Sequence, residues 1–149
     1  MPRIWIDADA LPKKLREVLS KAARKRFVPM TFVANQYIDI PKLKWVKIQV
    51  VSSGLDKADD WIVEQCSEDD LVITADIPLA ARVIDKQAMV CTPRGRRLDS
   101  SNIQEALSIR NISEDLRNSG LQTGGPPPIS PKNIQQFSNS LDIWIQKYR

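Results

Sequence analysis

The 149-residue chain has no histidine, and this one absence excludes a large share of hydrolytic chemistry. Without imidazole there is no Ser-His-Asp or Cys-His arrangement, and most zinc hydrolase centres lose their usual ligand. Cysteine is nearly absent as well. Cys66 and Cys91 stand far apart and form no CxxC spacing, so they are expected to be buried thiols, neither a disulfide nor a zinc site. No apolar run exceeds strand length and the N-terminus lacks the apolar core of a secretory signal, so the expectation is a cytoplasmic protein with no membrane span. No segment recurs at a period of about twenty to fifty residues, which argues against a repeat architecture.

What is present is ordinary in amount and uneven in placement. With 42% hydrophobic and 27% charged residues, the chain reads as one domain over residues 1–149. At this length about 70% of the unfolded surface can be buried. The net charge of +4 conceals a basic first third, an acidic middle and a basic last third. A polyanion suits the basic segments while the acidic middle holds a cation, although solvated helix faces account for the same charges.

Two stretches share one pattern. Ile4-Trp5-Ile6-Asp7-Ala8-Asp9-Ala10-Leu11-Pro12 and Leu71-Val72-Ile73-Thr74-Ala75-Asp76-Ile77-Pro78 are each an apolar run that stops on aspartate and meets a proline opening a helix. Both read as buried parallel strands, whose carboxyl ends are where ligands bind in open α/β sheets. Leu15, Val18, Leu19, Ala22 and Ala23 recur at helical spacing, predicting a helix from Pro12 to about Lys25 with Lys13 on an outer face. Met30 to Val33 and Trp45 to Val51 read as strands. Asn35 and Gln36, after the first of these, either bind phosphate or base through their amides or simply form a turn.

Asp56, Asp59 and Asp60 crowd the start of a helix, where capping and the helix dipole explain one or two acids and a metal site would use more. Glu68, Asp69 and Asp70 read as a turn without function. Pro78 to Lys86 is a helix and Ala88 to Cys91 a strand. Pro93-Arg94-Gly95-Arg96-Arg97 reads as a loop whose three guanidinium groups fit a phosphate backbone, or as an ordinary exposed basic loop. Asn102 is placed as a helix cap, with a second helical piece around Leu116 and Arg117 ending at Gly120. Thr123-Gly124-Gly125-Pro126-Pro127-Pro128 allows close backbone approach to a ligand or serves as a linker, and a last helix runs from about Pro131 to Tyr148.

This order predicts a three-layer α/β/α sandwich with a mainly parallel sheet, strand order 3-2-1-4-5. The first and fourth strands are then neighbours at the topological switch point, so Asp7, Asp9 and Asp76 converge, with Asp56 and Asp59 arriving from the adjacent helix. Carboxylates within about 4 to 6 Å repel, and a fold that gathers them protonates some or binds a cation. Oxygen ligands alone favour Mg²⁺ or Mn²⁺, ions that activate water in phosphodiester cleavage. The expected substrate is a phosphate ester, single-stranded RNA or another nucleic acid, positioned by Lys13, Asn35, Gln36, Arg94, Arg96 and Arg97.

DADALP, GLDKADDWI, ITADIPLAARVIDK, PRGR, LRNSG and TGGPPP, in this order, closely resemble the YaiI/YqxD family of uncharacterised bacterial proteins over nearly the whole chain. That family is grouped with PIN-like domains, so the resemblance implies a PIN-like fold and the Mg²⁺- or Mn²⁺-dependent ribonuclease activity common among characterised relatives. It matches Asp7 to the acid ending the first PIN strand and Asp76 to the acid of a strand ending Thr-x-Asp. Asp56, Asp59 or Asp60 would supply the middle acids. Family members usually carry cysteine where this chain has Leu11, so no retained activity needs a thiol there. An apolar strand ending Asp-Ala-Asp also resembles the first motif of haloacid-dehalogenase-like phosphatases, with Asp7 as nucleophile and Lys86 as the lysine, though the chain is short and lacks a cap domain. The third alternative is a non-catalytic RNA- or protein-binding domain whose aspartates are helix caps.

Overall fold

A computed structural model describes residues 2–9, 11–54, 57–118 and 128–148, the side chains of 112–118 excepted. Among the described residues six strands form one sheet, in the order β3-β2-β1-β4-β5-β6. The central strand β1 (Ile4–Asp7) pairs in parallel with β2 (Met30–Ala34) on one side and with β4 (Leu71–Ile73) on the other. Outward from these lie β3 (Val46–Val50), parallel to β2, and β5 (Met89–Cys91), parallel to β4. The predicted order of the first five strands is therefore present. β6 (Arg97–Leu98) adds an antiparallel edge that the sequence does not announce, because it is only two residues long and starts inside the arginine-rich turn.

Alternation along the strands builds two cores. Ile4, Ile6, Phe32, Leu71, Ile73 and Cys91 point to one face. There α1 (Lys13–Arg26) and α5 (Pro131–Tyr148) bury Leu15, Leu19, Phe137, Leu141 and Trp144 against them. Trp5, Val33, Val72, Val90 and Leu98 point to the other face, under α2 (Lys57–Gln65), α3 (Ile77–Asp85) and α4 (Ile103–Asn118). Both cysteines are free and buried, and burial pushes the Cys91 thiol up to about 12, which makes it unreactive.

Helix ends follow local chemistry. α3 starts at Asp76, whose carboxylate accepts from the Leu79 amide at 3.0 Å, with proline in the first turn. In α5 the Asn133 side chain accepts from the Ser130 amide at 3.1 Å while the Asn133 amide donates back to the Ser130 hydroxyl at 3.2 Å. α1 ends on Phe27 in the left-handed region (φ 55°), its amide and the Trp45 indole both donating to the Ala23 carbonyl. Asn102 does not act as the expected side-chain cap. Its Oδ1 accepts from the Asp99 amide and its Nδ2 donates to the Arg97 carbonyl, so the side chain ties the approach to α4 back onto β6. The two predicted helical pieces after it are one continuous helix, α4. Gly120 and the residues from Thr123 to Pro127 lie outside the described residues.

Candidate active site

The chain leaves β1, fills β2 and β3 on one side, then returns across the sheet to β4, so the switch point falls between β1 and β4. Ile6 faces the α1 side, and Asp7, one residue on, faces the side of Trp5. Thr74, just past β4, is its neighbour there. The buried Thr74 hydroxyl donates to Asp7 Oδ2 at 2.9 Å and accepts from the Asp76 amide at 3.0 Å. One hydroxyl thus joins the ends of both strands.

Burial pushes the Asp7 carboxyl above its ordinary value of 3.8. The Thr74 hydrogen bond opposes that rise, and the nearby charges of Asp76 and then Asp9 add to it. Asp7, Asp9 and Asp76 are therefore within electrostatic reach of one another. Their oxygens are not equally available. Both Asp9 oxygens take the Asn35 amide, at 2.9 and 3.2 Å, which fastens the β1 exit to the β2 exit. Asp76 uses Oδ1 to cap α3 and Asp7 uses Oδ2 for Thr74, leaving Asp7 Oδ1 and Asp76 Oδ2 unengaged among the described residues.

Asp59 and Asp60 occupy the first turn of α2, and Asp60 pairs with Arg82 of α3 at 3.0 Å. Asp56 lies outside the described residues. Among the described residues no three His, Cys, Asp or Glu side chains stand close enough together to hold a metal ion. Among the described residues, Asp7 and Asp76 come together with Asp9 beside them.

The basic and amide groups divide. Lys13 is exposed at the first residue of α1, and Asn35 and Gln36 are exposed past the carboxyl end of β2. The β5–β6 hairpin is likewise at the carboxyl edge, and it is held down on α5. Arg94 donates to Asn133 at 3.1 Å, and the Ser140 hydroxyl donates to the Gly95 carbonyl at 2.6 Å. Arg97 departs from the loop assignment: it is in β6, in register with Cys91, and so faces the α5 side of the sheet, away from Asp7.

Lys86 is not placed to serve as the lysine of the phosphatase alternative. It caps the far end of α3 and its ammonium group donates to the Val63 carbonyl, a helix length of about 13 Å from the Asp76 end. A lysine at the amino edge of the sheet cannot serve a nucleophile at the carboxyl edge.

Asp70 is the residue that sequence reasoning missed. It is buried and accepts at 2.9 Å from the Arg3 amide, the Trp5 indole and the Ser67 amide. It stands at the amino edge and organises the fold away from the candidate site.

The family model for "Uncharacterized BCR, YaiI/YqxD family" matches residues 5–147. The chain belongs to the YaiI/YqxD family. It is 50% identical over 142 residues to the UPF0178 protein PMI1258 of Proteus mirabilis, covering 95% of this chain and 94% of that one. The UPF0178 protein Shewmr4_1560 of Shewanella sp. is 46% identical over 143 residues, covering 96% and 95% of the two chains. A UPF0178 protein of Maridesulfovibrio salexigens is 46% identical over 145 residues, covering 97% and 96%. No solved structure matches the chain significantly. Membership of this uncharacterised family establishes no activity.

Proposed function

We propose that this YaiI/YqxD protein is a Mg²⁺- or Mn²⁺-dependent nuclease that hydrolyses phosphodiester bonds in single-stranded RNA or other single-stranded nucleic acid. The observation that carries the proposal is the meeting of Asp7 and Asp76 across Thr74 at the switch point. Two carboxylates with one unengaged oxygen each suit a hard cation that keeps several of its waters, and they offer nothing to a metal that wants nitrogen or sulfur. Such an ion supplies an activated water and neutralises charge on a phosphate oxygen. The chain's own contribution is orientation. Thr74 fixes Asp7 from one side, Asp76 is fixed by its cap, and Asp9 holds the β1 and β2 exits together.

The substrate class follows from the edge. Lys13, Asn35, Gln36, Arg94 and Arg96 all belong to segments leaving the carboxyl ends of the parallel strands β1, β2 and β5, flanking the aspartates. The span from β2 to β5 is three strand spacings, about 14 Å, suited to an extended polyanion more than to one phosphate. The resemblance to PIN-like ribonucleases supports the same reaction.

A second reading has its own observation. Asp76 caps α3 and Asp9 fastens two loops, so each has a structural duty, and an RNA-binding domain without catalysis needs no more of them. Asp7→Asn and Asp76→Asn separate the two, because asparagine keeps the acceptor and remains a good cap while losing the charge. In the nuclease, both variants fold, lose Mn²⁺ affinity in calorimetric titration and lose Mn²⁺-dependent cleavage of single-stranded RNA. Wild-type protein that binds RNA equally in EDTA and in Mn²⁺, and never cleaves it, establishes the binding domain instead.

A further inference from the structure

A cleft runs between the β5–β6 hairpin and α5, on the face of the sheet opposite Asp7. It has two connected lobes. One, of about 550 Å³, lies under the hairpin and is lined by Arg94, Arg96, Arg97, Asn133 and Gln136. The other, of about 440 Å³, is lined by Leu71, Met89, Ile143, Trp144 and Tyr148. Arg97, Ser140 and Ile143 line both lobes, so these three residues are the junction. Each lobe has the volume of a small-ligand site.

The walls are built to stay in place. Gly95 adopts φ +89°, and a Cβ there would stand 2.5 Å from the Gln136 carbonyl carbon and the Phe137 nitrogen, so the hairpin backbone rests directly on α5. The Ser140 hydroxyl and the Asn133 carboxamide bind the hairpin to the helix. The second lobe has Trp144 as its floor, the indole N–H anchored at 3.0 Å on the Asp69 carbonyl, with Tyr148 tilted beside it. Ile143 contributes an aliphatic wall that is 48% exposed. Arg97 is held by its strand register and has no side-chain hydrogen bond or ion pair among the described residues, and Lys147 stands over the Tyr148 ring. One carboxylate, Asp99, also lines this lobe; it accepts from the Ser101 amide and hydroxyl and lies within electrostatic reach of Arg97.

A guanidinium-lined lobe joined to an apolar and aromatic one selects a ligand with an anionic end and a flat apolar body. We propose that this cleft binds a nucleoside monophosphate, its phosphate among Arg96 and Arg97 and its base against Ile143 and Tyr148. The same chemistry is offered by a free nucleotide and by the phosphorylated end of an oligonucleotide. The sheet separates this cleft from Asp7 and Asp76, while the hairpin that carries Arg94 and Arg96 borders both, so the two sites share that basic edge and no carboxylate.

Binding of adenosine 5′-monophosphate to the full chain, measured by calorimetry and by amide chemical shifts, tests the assignment. Expected are shifts confined to residues 94–99 and 136–148, and affinity at least tenfold above that of adenosine or of inorganic phosphate. Arg97→Gln and Ile143→Glu, both at exposed positions, should each weaken binding about tenfold or more, while Asp7→Asn leaves it unchanged. Tighter binding of a 5′-phosphorylated oligonucleotide than of the mononucleotide identifies an RNA end as the source, and the reverse order identifies a free nucleotide. Either order supports the cleft. Absence of binding, inorganic phosphate binding as well as the nucleotide, indifference to both substitutions, or shifts centred on Asp7, Thr74 and Asp76 would each overturn it.

Discussion

Trp5 carries an indole N–H into the interior of the sheet, and a buried donor of that kind needs an acceptor. Asp70 supplies it, and in the same carboxylate it collects the Arg3 and Ser67 amides, so three donors depend on one side chain. Asp70→Ala strands all of them and should cost about 3 kcal/mol in denaturant unfolding. Trp5→Phe in the Asp70→Ala background should recover part of that loss, because it removes one stranded donor. A cost below about 1 kcal/mol, with no coupling between the two positions, would show that water replaces the carboxylate. At Asp7 the sign runs the other way. Its folded carboxyl holds its proton more tightly than the ordinary value of 3.8, so the folded state binds more protons than the unfolded chain. Stability from this group is full below that value and falls as pH rises through the higher folded one. Asp7→Asn should therefore stabilise the metal-free protein at neutral pH and flatten its stability between these limits. Equal pH profiles for variant and wild type would remove Asp7 as the source.

At the scale of elements, the most exacting contact is the hairpin on α5. Gly95→Ala meets both a positive φ and a 2.5 Å approach to the α5 backbone, so neither rotamer nor side-chain adjustment relieves it. A loss of about 2 to 3 kcal/mol is expected, with chemical shifts along α5 moving more than those of α1. A neutral Gly95→Ala would mean that the hairpin is not seated on the helix. The sequence reveals elements wherever a pattern repeats within one segment. The two apolar runs ending in aspartate, the spacing of Leu15, Leu19 and Ala23, and the runs at Met30, Trp45 and Ala88 are of this kind, and together they mark the first five strands. It conceals what depends on a partner distant in the chain. Nothing near Asp70 in sequence shows that Trp5, 65 residues away, is its donor, and nothing near Arg97 shows that a two-residue pairing with β5 turns it to the far face. The convergence of Asp7 and Asp76 was legible because right-handed crossovers permit a strand order that sets their strands side by side, and both strands end in the same apolar-run-then-aspartate pattern. The engagement of Asp9 by Asn35 was not, since it depends on loop geometry.

For the whole molecule, the proposed cation and the folded state must be linked. The Asp76 and Asp9 charges add to the cost of ionised Asp7 in the metal-free protein, and a divalent ion seated on Asp7 and Asp76 reverses that sign. A ligand that binds only the folded state adds about 2.7 kcal/mol at a hundred times its dissociation constant. In a chain of this length that corresponds to a rise in melting temperature of roughly 5 to 11 °C. Wild-type protein should thus melt higher in Mn²⁺ than in EDTA. Asp7→Asn should melt higher than wild type in EDTA yet respond little to Mn²⁺. Asp76→Asn should keep its cap, melt close to wild type in EDTA and also lose the Mn²⁺ response. The two variants together are more informative than either alone, because a purely structural Asp7 would lower the EDTA melting point when replaced and a purely structural Asp76 would leave the Mn²⁺ shift intact. If both variants keep the full Mn²⁺ shift, the ion is bound elsewhere and the carboxylate pair at the switch point is a device for joining β1 to β4.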